Sequence, residues 1–460
     1  MTVVSEFPQK QPIPNYKDIA LEQSPNAEII NLTEMPHPFI RKYGVLKYLA
    51  QAAWETCDKL NQKPIRDLLS TTKNFDLILI EYFNTDCFLG FVHKFKVPFI
   101  GLSSCYEMPW ATNRIANPTN PSYIPNHFGF FDINMNFWER LENTVLYLYT
   151  NIIYYTVMDG DSAAKKYFGD DLPPLSVLAE NTSLFLVNTF PALNGARPKV
   201  PSLIEVGGMN IGKPKRVAPL SLEKWINEST DGVIYFSMGS MIKGHTFPED
   251  KRAMFQNAFS RLKQRVLWKW ENDSMPNQPA NVMLQKWMPQ FEILCHPNVK
   301  AFITHGGLLG TTETVHCGVP AVVMPQFGDQ YTNAKALEAS GGGVILDFST
   351  ITEEDVYNAL RTVLDPSFNK QAKELSARFK DRPMPPLETA VYWVEYVARH
   401  KGAPHLRSAA VGMPYYQYLL LDVIAFLAAV FLTISYVVYA TCRFILSKLL
   451  KKEAKKVKKQ

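Results

Sequence analysis

Eight short apolar runs, rich in β-branched and aromatic residues, recur along the chain and alternate with stretches of helical character. They lie at residues 75–80, 97–102, 183–187, 232–237, 265–270, 282–286, 300–304 and 320–324. Strands that are covered on both faces by helices are nearly continuous apolar runs, whereas strands with one solvated face alternate with polar residues. The pattern therefore predicts parallel sheets with helices on both sides, in an α/β protein.

The runs form two sets, which a Gly-, Pro- and Lys-rich stretch at 207–219 separates. Two sets of strands and helices predict two doubly wound, Rossmann-like domains. We place the first over residues 1–205 and the second over 206–380, followed by a helical segment at 381–414. Residues 106–168, rich in Pro, Asn and aromatic side chains, predict an irregular insertion that forms a pocket. The length of 460 residues and the hydrophobic content of 47% suffice for such cores and exclude a disordered or fibrous chain.

A membrane anchor is predicted near the C-terminus, where the 20 consecutive residues 423–442 carry no charge. A helix of that length spans about 30 Å, the thickness of the hydrocarbon layer of a bilayer. Tyr418 and its neighbours supply an aromatic belt, so we place a transmembrane helix over 418–442, with membrane lipid as its partner. The positive-inside rule then places the tail, residues 443–460, in the cytosol and residues 1–414 in a secretory lumen.

The positive charge of the chain is concentrated in that tail. The net charge is +5, but the tail holds eight Lys or Arg and one Glu, so the rest of the chain carries −2. A body with this balance has no general attraction to nucleic acid, and we expect no nucleic-acid partner. Lys456 and Lys458 look like a dilysine signal for return to the endoplasmic reticulum, which predicts a single-pass protein of that membrane.

The N-terminus conflicts with a luminal placement. A translocated domain needs a signal segment, and residues 1–18 contain no apolar stretch of the required kind. We therefore expect the chain as given to begin late in its first domain.

The most informative stretch is residues 286–333. The strand at 300–304 runs directly into His305-Gly306-Gly307-Leu308-Leu309-Gly310 and then into a helix. Unpaired backbone N–H groups and the helix dipole favour an anion at such a helix N-terminus, and glycines let it approach closely. A purely structural helix start is the alternative. The turn has neither the G-x-G-x-x-G spacing of a dinucleotide fold nor the signature of a P-loop, so those two readings are excluded.

Neighbouring residues supply the other parts of a nucleotide-sugar site. Trp287 follows the preceding strand and emerges at the same carboxyl edge, where its ring can stack on a base. Glu313 lies two turns into the helix, placed to accept hydrogen bonds from a ribose. Asp329 and Gln330 follow the next strand and suit sugar hydroxyls. These side chains predict a binding site along one edge of the second sheet.

At these residues the sequence resembles a known family. FITHGGLLGTTETVHCGVPAVVMPQFGDQ resembles the signature of the UDP-glycosyltransferases, in the membrane-anchored animal branch that includes the UDP-glucuronosyltransferases. FSMGS at 236–240, KWMPQ at 286–290 and RHKGAPHLR at 399–407 extend the resemblance over nearly the whole chain, and FPQKQPIPNYKDI is similar to arthropod members. The resemblance implies a GT-B fold, with the acceptor in the first domain and the UDP-sugar in the second.

Residue by residue, the resemblance implies that Trp287 stacks on uracil and that Gln290 and Glu313 hold the ribose. It assigns the diphosphate to Ser240, His305, Gly307 and Gly310, and the sugar hydroxyls to Asp329 and Gln330. Leu309 departs from the pattern, because many relatives have Asn at this position. Glu81, at the end of the strand at 75–80, matches the acid that orients the catalytic His, and a structural cap of the strand end is the other reading.

The implied reaction is inverting transfer of glucose or glucuronic acid to a hydroxyl of a small lipophilic acceptor, a detoxification-type conjugation. The UDP-sugar is a co-substrate, and no cofactor is expected. The family's catalytic His belongs to a loop after the first strand, and Thr2-Val3-Val4-Ser5 already resembles the second, so that loop is absent from the chain. The alternative is a catalytically silent member that retains UDP-sugar binding or acts as a partner subunit. The acceptor, the choice of sugar and the oligomeric state, a homo-oligomer included, stay open.

No metal site is predicted. Asp159-Gly160-Asp161 matches the D-x-D motif of metal-dependent glycosyltransferases, but an acidic helix cap is the ordinary explanation. Six cysteines show no C-x-x-C motif or Cys/His cluster, so neither a zinc site nor a disulfide framework is predicted, and we expect most of them to be buried free thiols. Arg197 is placed to meet a diphosphate or a sugar carboxylate, without deciding between them.

Overall fold

The computed structural model describes residues 1–23, 31–34, 37–158 and 160–457, and the chain forms two compact units, Met1–Ser408 and Ala409–Gln460. The first unit contains three parallel sheets. Their strands are β1 (Thr2–Ser5) and β2 (Lys17–Ala20); β3 (Ile78–Glu81), β4 (Phe99–Ser103), β5 (Leu184–Val187) and β6 (Leu203–Glu205); and β7 (Val233–Ser237), β8 (Arg265–Lys269), β9 (Val282–Gln285), β10 (Val299–Thr304), β11 (Ala321–Val323) and β12 (Gly343–Ile345).

Helices connect and cover these strands. In the first half of the chain they are α1 (Pro38–Tyr43), α2 (Val45–Asp58), α3 (Lys63–Leu69), α4 (Gly90–Phe95), α5 (Ala111–Arg114), α6 (Phe137–Ile153), α7 (Asp161–Phe168), α8 (Leu175–Ala179) and α9 (Pro191–Asn194). In the second half they are α10 (Leu220–Asn227), α11 (Glu249–Ser260), α12 (Gln290–Leu294), α13 (Leu308–Cys317), α14 (Gln330–Ala339), α15 (Glu353–Leu364), α16 (Pro366–Lys380), α17 (Pro386–Arg399), α18 (Tyr415–Tyr418) and α19 (Leu421–Val457).

The apolar runs predicted as strands are all strands, and the predicted parallel pairing is confirmed. Their residues are buried as that pattern requires: all of β5 and all of β7 are buried. Strands β2, β6 and β12 were not predicted from the sequence. These strands have four, three and three residues, too few for a hydrophobic pattern to mark them.

The strand order of the third sheet, β12-β11-β10-β7-β8-β9, positions the site. The chain builds outward from β7 through β8 to β9 and then returns to the other side of β7 with β10. Between β7 and β10 the order therefore reverses. Ligands of open α/β sheets bind outside the carboxyl ends of the strands at such a switch point.

The second sheet has the simple order β3-β4-β5-β6, and β1 pairs with β2 in a sheet of their own. Among the described residues, neither β1 nor β3 has a second neighbouring strand. Both strands line the large cavity described below.

Helix α17 returns from the second half of the chain to the second sheet. Its buried residues Ala390 and Val397 belong to one apolar cluster with Ile100 of β4 and Leu184 of β5. Arg382, which precedes α17, donates a hydrogen bond to the Gly207 carbonyl at 2.6 Å. These contacts hold the two sheet-bearing halves of the first unit together.

Two disulfides correct the expectation that most cysteines are free. Cys57 is bonded to Cys87, and Cys295 to Cys317, with sequence separations of 30 and 22 residues. Cys105 and Cys442 are free. The expectation was wrong because each pair is brought together only by the tertiary packing of separate helical segments, which leaves no local spacing to detect.

The second unit contains one apolar helix that could cross a membrane by length and composition. Within the described residues it lies in Leu421–Lys452 of α19, where an 18-residue window has a mean hydropathy of 2.3. The helix begins at Leu421 instead of residue 418, because Leu420 has the left-handed φ of 54° and separates it from α18.

Candidate functional site

A cavity of about 2770 Å³ opens at the carboxyl edges of the second and third sheets. All ten site residues predicted from the sequence line it: Glu81, Ser240, Trp287, Gln290, His305, Gly307, Gly310, Glu313, Asp329 and Gln330. They come from separate strand ends and helix starts, so the fold brings together positions up to about 250 residues apart in the chain. Their individual roles stay predictions.

The glycine turn lies at the switch point between β7 and β10. Gly307, the N-cap of α13, has no side chain to cap the helix, and the Asp329 carboxylate accepts from the Leu308 N–H, which leaves the other N–H groups of the first turn for a ligand. Across the turn, Gly239 has a φ of 82°, and a Cβ there would lie 2.6 Å from the His305 ring. The loop after β7 can approach the loop after β10 only because it has glycine at this position.

His305 is neutral in this setting. Burial, with a smaller contribution from the Lys269 ammonium, lowers the pKa of His305 to about 4. Its Nδ1 is buried and has no hydrogen-bond partner among the described residues. The same is true of two further polar atoms, Thr311 Oγ1 of α13 and Asn333 Oδ1 of α14. A neutral imidazole donates one hydrogen bond, so His305 can serve a phosphate oxygen as a donor but not as a cation.

Lys269 is a cavity residue that the sequence reading missed. It is the last residue of β8; its ammonium donates to the Gly239 carbonyl at 2.8 Å and pairs with Glu271 at 3.1 Å. This places a partly buried positive charge beside the loop that meets His305. The rule that predicted Trp287 also covers Lys269 once the end of the strand is known, because both side chains lie at or just after the carboxyl end of a strand in this sheet.

The two residues predicted to hold a ribose contact each other. The Gln290 amide donates to Glu313 Oε2 at 2.7 Å, and the Tyr235 hydroxyl lies 3.5 Å from Gln290 Oε1. Burial raises the pKa of Glu313, and the Gln290 hydrogen bond acts in the opposite direction. Trp287, three residues before Gln290, is 75% exposed and leaves its ring free to stack on a base.

Asp329 and Gln330 sit at the start of α14. Burial raises the pKa of Asp329 to about 6, against hydrogen bonds from Asn333 at 2.9 Å and from the Leu308 backbone. The side-chain oxygen Oε1 of Gln330 accepts hydrogen bonds from the backbone N–H groups of Gln326 and Phe327 at 2.8 and 3.2 Å. Gln330 therefore uses its oxygen to fix the loop, and only its amide nitrogen is left for a sugar hydroxyl.

The other wall of the cavity belongs to the first half of the chain. Glu81, at the end of β3, accepts a hydrogen bond from the Ser104 hydroxyl at 2.7 Å. Burial raises the pKa of Cys105 to about 12, and the charges of Asp329 and Glu81 add to the effect, so this thiol lies within reach of both carboxylates. His127 also lines the cavity, and burial lowers its pKa to about 3.

The two walls touch directly beside the sugar-side residues. Arg41 donates to the Gln326 carbonyl at 3.0 Å, and Thr332 of α14 donates to the His127 carbonyl at 3.4 Å. Two segments of the first half thus contact the loop after β11 and the helix that follows it.

Two weaker candidates from the sequence have other tasks. Asp161 accepts a hydrogen bond from the Leu175 backbone N–H at 2.7 Å at the start of α8, and Asp159 lies outside the described residues. Arg197 pairs with Glu107 at 3.8 Å and does not line the large cavity. Within the described residues, no cluster of His, Cys, Asp and Glu has the arrangement of a metal site.

The chain matches the family described as "UDP-glucoronosyl and UDP-glucosyl transferase" over residues 14–456. It belongs to the UDP-glycosyltransferase family. It is 46% identical to "UDP-glycosyltransferase UGT5" of Dactylopius coccus over 455 residues, covering 95% of this chain and 85% of that protein. It is 37% identical to "UDP-glucuronosyltransferase 1A7" of Mus musculus over 388 residues, covering 84% of this chain and 72% of that protein.

Solved glycosyltransferases share the fold of this family member. The structure of Medicago truncatula UGT71G1 complexed with UDP-glucose matches with a TM-score of 0.55 at 16% identity, covering 86% of this chain and 91% of that one. The glycotransferase of kitacinnamycin matches with a TM-score of 0.54, also at 16% identity, covering 82% of this chain and 86% of that one. The expected GT-B fold is confirmed. Beside this fold the chain has the helix α19, which is long and apolar enough to cross a membrane.

The exposed indole of Trp287 predicts the cost of its removal. The change Trp287→Ala should weaken UDP binding by about 1–3 kcal/mol through lost base stacking, with little effect on stability, because the side chain is exposed. Trp54→Ala is the control, since Trp54 is 54% exposed and lies outside the cavity. Calorimetry with UDP measures both, and equal affinity in the two folded variants would contradict the assignment.

The raised pKa of Asp329 predicts a pH dependence of donor binding. As the pH falls through about 6, the carboxyl group becomes protonated and loses an acceptor for sugar hydroxyls, so KM for the UDP-sugar should rise. In Asp329→Asn this rise should be absent. The effect of pH on the stability of the fold has the opposite direction. Because burial favours the neutral carboxyl group, Asp329 destabilises the folded state increasingly as the pH rises from its unfolded pKa through about 6. A KM profile that is the same in both proteins would contradict the role of Asp329.

Proposed function

We propose that the chain transfers glucose or glucuronic acid from a UDP-sugar to a hydroxyl of a small lipophilic acceptor, with inversion at the anomeric carbon. The observation that carries the proposal is that the glycine turn at the switch point, the Gln290–Glu313 pair and Glu81 line one cavity. The family and its relatives, which are named as glucosyl and glucuronosyl transferases, support these two sugars.

In this proposal the nucleotide lies along the edge of the third sheet. The uracil stacks on the exposed ring of Trp287, and the ribose hydroxyls bind between Gln290 and Glu313, whose side chains already meet at 2.7 Å. The diphosphate reaches the N-terminus of α13, where backbone N–H groups and the helix dipole stabilise negative charge. Ser240 and His305 border this position from the loops after β7 and β10.

The sugar then lies between the two walls of the cavity. Asp329 and the Gln330 amide nitrogen hold its hydroxyls. The acceptor oxygen attacks the anomeric carbon, and the bond from that carbon to the diphosphate oxygen breaks, so that UDP leaves with the bonding electrons. The helix N-terminus and the nearby Lys269 ammonium stabilise the charge that develops on the diphosphate.

The acceptor hydroxyl must lose its proton to a base as it attacks. Glu81 faces the cavity at the end of β3, and we assign it to the orientation of that base, as the resemblance implies. Its hydrogen bond to Ser104 holds the carboxylate at the acceptor side. Relatives at 37–46% identity over most of the chain favour an enzyme over the catalytically silent alternative.

The activity assay uses the chain joined upstream to a family-like first strand and His-bearing loop, because Glu81 would orient the His that this loop carries. UDP release should follow the addition of UDP-glucose or UDP-glucuronate with a panel of lipophilic phenols, and the product should have the inverted anomeric configuration by NMR. Glu81→Gln should lower kcat by roughly 10²–10⁴ with an unchanged KM for the donor. Glu395→Gln, which alters another carboxylate of the cavity lining, is the control and should keep wild-type kcat. A Glu81→Gln enzyme with wild-type kcat would refute the role of Glu81.

We also propose that the protein resides in the endoplasmic reticulum with residues 1–414 in the lumen and the Lys-rich tail in the cytosol. The support is the apolar helix α19 and the lysines that follow it. Protease added to sealed microsomes should then remove only the tail, and detergent should expose the rest. Digestion of the bulk of the chain without detergent would reverse the orientation.

A further inference from the structure

The Cys295–Cys317 disulfide joins the two helices that carry the candidate ribose pair. Cys295 is the C-cap of α12 and Cys317 is the last residue of α13, with Cα atoms 4.7 Å apart. Gln290 is the first residue of α12, and Glu313 lies four residues before Cys317. The helices are thus linked twice, by a hydrogen bond near the cavity and by a covalent bond at their other ends.

The position of Gln290 depends on a short element. Helix α12 has five residues, and a helix of one turn has almost no stability of its own in water. Ile293 and Leu294 pack one face of α12 into the core, which leaves its rotation and its first residue to be fixed by other contacts. The disulfide ties the C-terminal end of α12, next to the buried Ile293 and Leu294, directly to α13 and so restrains the rotation of α12 against that helix.

We propose that the Cys295–Cys317 disulfide positions Gln290 against Glu313 and thereby sets how tightly the site holds the two ribose hydroxyls. The inference rests on the proposed function, in which this pair binds the ribose. It makes both cysteines positioning residues, since neither sulfur lines the cavity.

The two disulfides of the chain differ in their access to a reductant. Cys295 and Cys317 are partly exposed, whereas Cys57 and Cys87 are only 2% and 0% exposed. A small dithiol reduces an exposed disulfide more readily: the S–S bond breaks, two protein thiols form, and the dithiol is oxidised to its cyclic disulfide. Mild treatment of the native protein should therefore open Cys295–Cys317 first, and the buried pair serves as an internal control.

The test compares two nucleotides on the full-length protein in detergent. Calorimetry gives Kd for UDP and for 2′,3′-dideoxy-UDP, which lacks the hydroxyls that the pair would bind. Wild type should prefer UDP by at least about tenfold, the usual worth of hydrogen bonds to a charged group. In Cys295→Ser/Cys317→Ser this preference should fall to less than about threefold, mainly through weaker UDP binding. Cys57→Ser/Cys87→Ser should keep the wild-type preference.

A second arm covers a variant that fails to fold. Wild type is treated with dithiothreitol until alkylation and mass spectrometry show only Cys295 and Cys317 as thiols, and the preference is measured again. Loss of the preference in either arm supports the inference. An unchanged preference, or equal weakening of both nucleotides, overturns it, because a general structural effect does not distinguish ribose from dideoxyribose. Wild type that binds neither nucleotide would instead refute the proposed function, and the inference with it.

Discussion

The close approach of two loops at the switch point of the third sheet is the constraint on which the site depends. Parallel strands have their carboxyl ends at one edge, and the order of this sheet makes β7 and β10 neighbours although β8 and β9 lie between them in the chain. The loops after both strands therefore meet in front of α13. Gly239 permits the contact, because a Cβ there would lie 2.6 Å from the His305 ring. The remaining site residues of this sheet, such as Trp287 and Asp329, lie at neighbouring strand ends of the same edge.

Much of the site could be predicted from the sequence because its parts follow strand ends. Trp287, His305 and Asp329 each come shortly after an apolar run, and a parallel sheet places such residues side by side. What the sequence could not show depends on tertiary contacts. The disulfides pair cysteines that are 22 and 30 residues apart in the chain. The side-chain oxygen of Gln330 accepts a hydrogen bond from the backbone of the preceding loop. Lys269 lies inside the run predicted at 265–270, whereas the strand ends at Lys269, so its place at the carboxyl edge follows only from the structure.

The cavity wall from the first half of the chain has less regular secondary structure than the wall from the third sheet, as the composition of residues 106–168 suggested. Cys105 and His127 come from segments without a repeating pattern, and burial keeps the thiol protonated and the imidazole neutral at physiological pH. The uncharged character of these groups suits the lipophilic acceptor that we propose, while the carboxylates Glu81 and Asp329 lie within electrostatic reach of the same thiol. Direct contacts from Arg41 and from the His127 carbonyl to the loop and helix after β11 tie this wall to the donor site.

The central claim is that the switch point binds the diphosphate of a UDP-sugar, and a structure of the full chain with UDP bound tests it most directly. The β-phosphate should lie within hydrogen-bond distance of backbone N–H groups at the start of α13, with the uracil on Trp287 and the ribose against Gln290 and Glu313. A diphosphate bound elsewhere in the cavity, with the start of α13 unoccupied, would refute this placement.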